Sequence, residues 1–144
     1  MEIATGYFAK AKAYADNGYS LVSISRVAPW FLAKTLTLYS CPELAPTDEI
    51  LALKDRPEEY GNRYRREILA GIDWDYINRW LRSIARQDGT DKIVLLCYEA
   101  PNKFCHRHIV AEWLGKHIGH MIHEVDVQGL YTKELDGLSQ QGVT

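Results

Sequence analysis

Residues 93–114 read IVLLCYEAPNKFCHRHIVAEWL, and their order decides the fold. With Lys92 in front, "KIVLLCYE" is a nearly continuous apolar run of strand length, as expected of a central parallel strand covered on both faces. A short turn containing Pro101 follows. Then "HRHIVAEWLGKHI" has the pattern of a helix that buries Ile109, Val110, Trp113 and Leu114. Strand, turn and helix in this order make the repeating unit of an α/β sheet, and ligands of such sheets sit outside the carboxyl ends of the strands. Cys105, His106, Arg107 and His108 stand at that place.

The rest of the chain fits the same plan. "EIAT" is a short strand and "YFAKAKAYADNG" a helix stopped at Asn17-Gly18. "YSLVSISR" alternates like a strand and ends at Arg26. "VAPWFLAKTLTLYSCPELAPTDE" has three prolines and no clean period, and reads as a long excursion over one end of the sheet. Residues 57–70 read as a helix opened by Pro57 and weakened by Gly61. "DWDYINRWLRSIARQ" is a clearer helix, capped by Asp73 and followed by Gly89, with Trp74, Ile77, Trp80, Leu81 and Ile84 on one face. "MIHEVDV" reads as a further short strand. The expected architecture is a single three-layer α/β domain over residues 1–135, with a short, mainly parallel sheet flanked by helices and a loose tail at 136–144. Segments 23–31 and 97–108 should then line one crevice.

Composition narrows the functional classes. A chain of 144 residues with 47% apolar content can bury one sizeable core. Its 17 Lys and Arg against 19 Asp and Glu leave a net charge of −2, so any polyanion site must be a local patch. No apolar run approaches the roughly 20 residues that span a bilayer, and the N-terminus lacks the pattern of a signal peptide, so no membrane role is expected. Three cysteines, an odd number, argue against a disulfide framework and for a cytoplasmic protein with reduced thiols.

Cys105, at or near a helix start and beside Lys103, His106 and Arg107, has surroundings that favour a thiolate able to attack an electrophile. Its bland alternative is a small buried residue packing the helix start. Arg107 can form a bidentate fork with a phosphate or carboxylate, or else a structural ion pair with Glu99 or Asp126. His106 and His108 lie two apart, so on a helix they point in different directions and do not easily face one metal together. Cys97, Cys105 and His106 are a weak zinc set, because their spacing is not that of a ribbon or finger. Arg63, Tyr64 and Arg66 in "EYGNRYRRE" interleave basic and aromatic side chains, as a nucleic-acid surface would, although a solvated helix face has the same look. "CYEAPNK" is a poor copy of the anion cradle of rhodaneses and cysteine phosphatases, with Lys103 where the closing arginine would stand.

"LLCYEAPNKFCHRHIVAEWL" resembles the uncharacterised family catalogued as DUF488, whose hallmark is a strand ending Leu-Cys-x-Glu, a Pro-containing turn, then Cys-His-Arg and a helix with Ala-Glu. Cys97, Glu99, Pro101, Cys105, His106, Arg107, Ala111 and Glu112 fill those places. "IATGYFAKAKAY" and "LVSISRVAPWF" are similar to the opening of its short members, so the resemblance spans most of residues 2–125. Longer members carry Asp-Val-Arg at the second strand, where this chain has Ile24, Ser25 and Arg26, so the acid is absent and the arginine kept. The resemblance implies a three-layer α/β domain and no settled activity.

These readings lead to one functional expectation: a small enzyme acting on a nucleotide or nucleic-acid component. Cys105 would be nucleophile or thiolate stabiliser, Glu99 general base or acid, and His106 would assist proton transfer or orient Cys105. Arg26 and Arg107 would hold an anionic group, with Tyr7 and Trp30 lining the crevice. The competing expectations are a non-catalytic module binding a nucleotide or a partner, and a Cys/His metal site. Neither a cofactor nor an oligomeric state is legible.

Overall fold

The computed structural model describes residues 1–130. Its four strands are β1 (Glu2–Tyr7), β2 (Tyr19–Ser23), β3 (Leu38–Ser40) and β4 (Lys92–Cys97), all parallel, in the order β1-β4-β2-β3. The helices are α1 (Ala11–Asp16), α2 (Asp48–Leu51), α3 (Pro57–Glu67), α4 (Trp74–Asp88) and α5 (His106–Ile118). β4 is central because it is apolar on both faces. Ile93, Leu95 and Cys97 point into a core shared with α3, α4 and α5, while Val94 and Leu96 point into a second core with Ala11 and Tyr14 of α1. The result is the expected three-layer α/β arrangement with a short parallel sheet.

Local chemistry sets the element ends. Asp73 accepts from the amides of Asp75 and Tyr76 to open α4, and Gly89, at φ 71°, closes it. Gly61 does not break α3. It is buried against α5, where an added Cβ would lie 3.6 Å from Ile109 Cδ1 and 2.9 Å from Arg65 Nη1. Gly6 is required in β1, because a Cβ there would come within 2.6 Å of the Tyr14 ring. The Tyr14 hydroxyl oxygen accepts from the Tyr7 amide at 3.2 Å, and burial pushes the phenol up to about 12.

Three expectations need correction. β2 ends at Ser23 rather than Arg26: the Ile24 amide makes a last bond to the Leu96 carbonyl, and the Ser25 amide then turns back onto Ser23 Oγ. The excursion of residues 27–49 contains a strand, β3, whose pairing with β2 extends from Leu21↔Leu38 to Ser23↔Ser40. "MIHEVDV" forms only a single parallel bridge, Thr5↔Glu124, since Asp126 turns to accept from Gln128 and starts a 3-10 turn at Val127–Gly129. The tail expected at 136–144, and the domain's far limit at 135, lie outside the described residues. Among the described residues no helix is long and apolar enough to cross a membrane.

Candidate functional site

Where β2 and β4 end, the backbone leaves the sheet in two adjacent loops, and α5 begins opposite them. Ser25 and Arg26 come from the first loop, Cys97 from the last residue of β4, Glu99 from the second loop, and Cys105 and His106 from the helix start. All six line a cavity of about 650 Å³. This is the carboxyl edge at which the parallel βα unit places chemistry. Residues 46–54, from the excursion and α2, supply a further wall with Asp48 and Lys54.

Cys97 and Cys105 are joined by a disulfide, while Cys41 is free and buried. This corrects the expectation of reduced thiols. The two cysteines are eight apart in sequence, but a strand end and the start of the following helix return to the same edge, so the turn between them brings both sulfurs to the cavity floor. Cys105 is the N-cap of α5, in extended conformation, and its side chain makes no capping bond.

His106 is buried, and its Nε2 lies 2.7 Å from the Ile24 carbonyl oxygen. A carbonyl only accepts, so Nε2 carries the proton. Nδ1 is then left with a lone pair, 3.8 Å from Cys105 Sγ. Burial is the main reason that the imidazole is pushed down to about 4, against the upward pull of the Ile24 bond. At neutral pH His106 is therefore an uncharged acceptor facing sulfur. His108 points away and is exposed, its Nε2 3.2 Å from the Lys103 carbonyl.

Arg26 reaches the cavity mouth and pairs with exposed Asp48, and Glu99 pairs with Lys54 at 3.6 Å. Both pairs are solvent-accessible, and an entering anion can exchange with their carboxylates at small cost.

Arg107 is elsewhere. It is fully buried, with Nε 3.0 Å from Glu124 Oε1, Nη2 2.9 Å from Oε2, and Nη1 3.0 Å from Cys97 Sγ. The bidentate partner expected for this fork is thus a carboxylate of the chain itself, Glu124, rather than Glu99, Asp126 or a bound anion. Burial pushes the Glu124 carboxyl up, but hydrogen bonds from Arg107 and Thr5 outweigh it and hold the group below its ordinary value. Neither Tyr7 nor Trp30 lines the cavity. Trp30 is exposed, with the Lys34 ammonium 4.5 Å from its ring centroid.

The proposed nucleic-acid face does not come together. Tyr64 is fully buried, donating to the Leu44 carbonyl at 2.6 Å, and so cannot stack on a base. Arg63 is engaged by Glu67 and Glu49, and Arg66 lies 3.5 Å from Glu67. Sequence reading missed Glu124, Asp48 and Lys54. Only the Thr5↔Glu124 bridge, 119 residues apart, reveals the first.

The donor atoms of Cys97, Cys105 and His106 lie within 4.8 Å of one another. Two sulfurs and an imidazole nitrogen suit zinc, so a reduced pair could hold such an ion.

With this geometry in view, a family model described as DUF488-N3a, the active DUF488-N3 subclade, matches residues 9–118. The chain belongs to the DUF488 family. The match takes in β2, β3, β4 and α5 and every cavity-lining residue named above. In DUF488 terms, the strand-end Cys97 and Glu99 and the helix-start Cys105 and His106 converge on one cavity, whereas the Arg107 of the same motif turns inward. No curated protein and no solved structure matches the chain.

Proposed function

We propose that this DUF488 protein is a thiol-dependent enzyme acting on a nucleotide or nucleic-acid component. The observation that carries the reading is the convergence of two cysteine sulfurs and the free Nδ1 lone pair of a neutral histidine on a cavity with Arg26 at its mouth. In the dithiol form a sulfur supplies the nucleophile. His106 accepts a hydrogen bond from the Cys105 thiol or from the substrate, Glu99 moves a proton at the rim, and Arg26 exchanges Asp48 for the substrate's anionic group.

The Cys97–Cys105 bond supports a second reading, a binding module, because it leaves no free thiol in the cavity. One experiment separates them. Thermal melting is measured with inorganic phosphate and with nucleoside monophosphates, on reduced and oxidised protein, for the parent and for Arg26→Ala. The enzyme reading expects stabilisation by the monophosphates that Arg26→Ala removes, together with a covalent adduct on the reduced protein when the monophosphate carries an electrophilic group. Equal binding in both redox states with no adduct supports the module, and no anion effect in either state defeats both.

A further inference from the structure

The two sulfurs of the cavity stand in different electrostatic surroundings. Cys105 Sγ lies 3.8 Å from the His106 Nδ1. Cys97 Sγ instead receives a hydrogen bond, at 3.0 Å, from the guanidinium of Arg107. That arginine has no solvent exposure and is held in place, because Glu124 grips its other two nitrogens and Thr5 Oγ1 in turn donates to Glu124 at 2.7 Å. A buried cation with one N–H held against a sulfur stabilises the anion there, and among the described residues no side chain offers that to Cys105.

Resting on the thiol-enzyme reading above, we propose that Cys97 is the nucleophile, that Arg107, locked by Glu124, is the positioning residue that keeps it a thiolate, and that Cys105 is its disulfide partner.

The Cys97 sulfur supplies the electron pair for the new bond to the substrate's electrophilic centre, and the displaced group leaves with the pair of the bond that breaks. The dithiol is reached by exchange with an external dithiol, which becomes a disulfide as Cys97 and Cys105 gain its two electrons and two protons. In that exchange Cys105 is the sulfur attacked. It is the more exposed of the two, 7% against 1%, and the Arg107-stabilised Cys97 is the better leaving group.

Exposure and reactivity therefore point to opposite cysteines, which makes the proposal testable on the unaltered chain. The protein is reduced with a phosphine, freed of reductant, treated at neutral pH with substoichiometric iodoacetamide with and without a chelator, and mapped by peptide mass spectrometry. Cys97 should be labelled about tenfold faster than Cys105, with Cys41 silent, because it lies outside the cavity and burial pushes its thiol up to about 12. The double variant Arg107→Met/Glu124→Gln, which removes the cation without stranding its carboxylate, should slow Cys97 by about tenfold and move its pH inflection upward. The Cys105 rate should stay within about twofold. Labelling of Cys105 first overturns the assignment and leaves the thiol-enzyme reading standing. If neither sulfur reacts faster than an unstructured thiol, both fall. The wild-type comparison decides the matter should the double variant fail to fold.

Discussion

Replacing His106 by glutamine should flatten the acid side of the protein's stability curve. In the folded chain burial pushes this imidazole down to about 4, from an ordinary value of 6.5. Between those two values the unfolded chain binds a proton that the folded chain refuses, so stability rises with pH across the window. Above 6.5 both states are neutral and the contribution is complete, and it is lost as pH falls toward 4. At about 1.4 kcal/mol for each pH unit, moving from pH 7 to pH 5 should cost the parent about 2 kcal/mol, and the whole window about 3 kcal/mol. Glutamine can donate an amide N–H toward the Ile24 carbonyl but does not titrate, so the variant should be weaker at pH 7 and show little of this slope. The assay is urea unfolding at pH 7.5, 6 and 5, comparing midpoints at constant m-value. The other four histidines, 108, 117, 120 and 123, are exposed. If His106→Gln keeps the parent's full slope between pH 7 and 5, the protonation state assigned to the site is wrong.

Three more outcomes follow from the packing. Gly6→Ala forces a Cβ into the immobilised Tyr14 ring and should cost about 1–3 kcal/mol, seen as a lower melting temperature. Tyr64→Phe removes the donor to the Leu44 carbonyl and should cost about 1 kcal/mol while leaving binding of a single-stranded oligonucleotide unchanged. Any loss of such binding would restore Tyr64 as a surface residue. Glu124→Ala strands the fully buried Arg107 and should cost about 3–5 kcal/mol. The Glu124 carboxyl is held below its ordinary value of 4.5. Its contribution is therefore present above that pH and lost on acidification through the folded value, an acid limb of the unfolding curve that the variant should lack.

What was legible in the sequence was whatever is local. The apolar run of β4, the Asp73 cap, the Gly89 stop and the start of α5 are all written within a few residues of where they act, and the edge formed by β2 and β4 follows from the rule for parallel sheets. β3 was hidden because three residues among prolines carry no period. The redirection of Arg107 was hidden for another reason. A helix-start arginine looks the same whether it meets an anion or a carboxylate, and although the segment holding Glu124 reads as a strand, nothing in it announces the one-residue bridge to Thr5 that delivers the carboxylate. The arginines and tyrosines of α3 misled because alternation of basic and aromatic residues also describes a helix packing tyrosines inward and pairing arginines outward.

The strand order has a consequence for how the protein is made. β1 and β2 are early in the chain but do not pair with each other, because the slot between them belongs to β4, whose Lys92 pairs with both Glu2 and Tyr19. On the ribosome, the first two strands must wait through some seventy residues of synthesis after β2 with their inner edges unsatisfied, and contacts so distant in sequence form slowly. The strand that ends the wait also carries Cys97, so a nascent chain closes its sheet and acquires the sulfur in the same step, and a chain stalled before residue 92 presents two open edges to its neighbours.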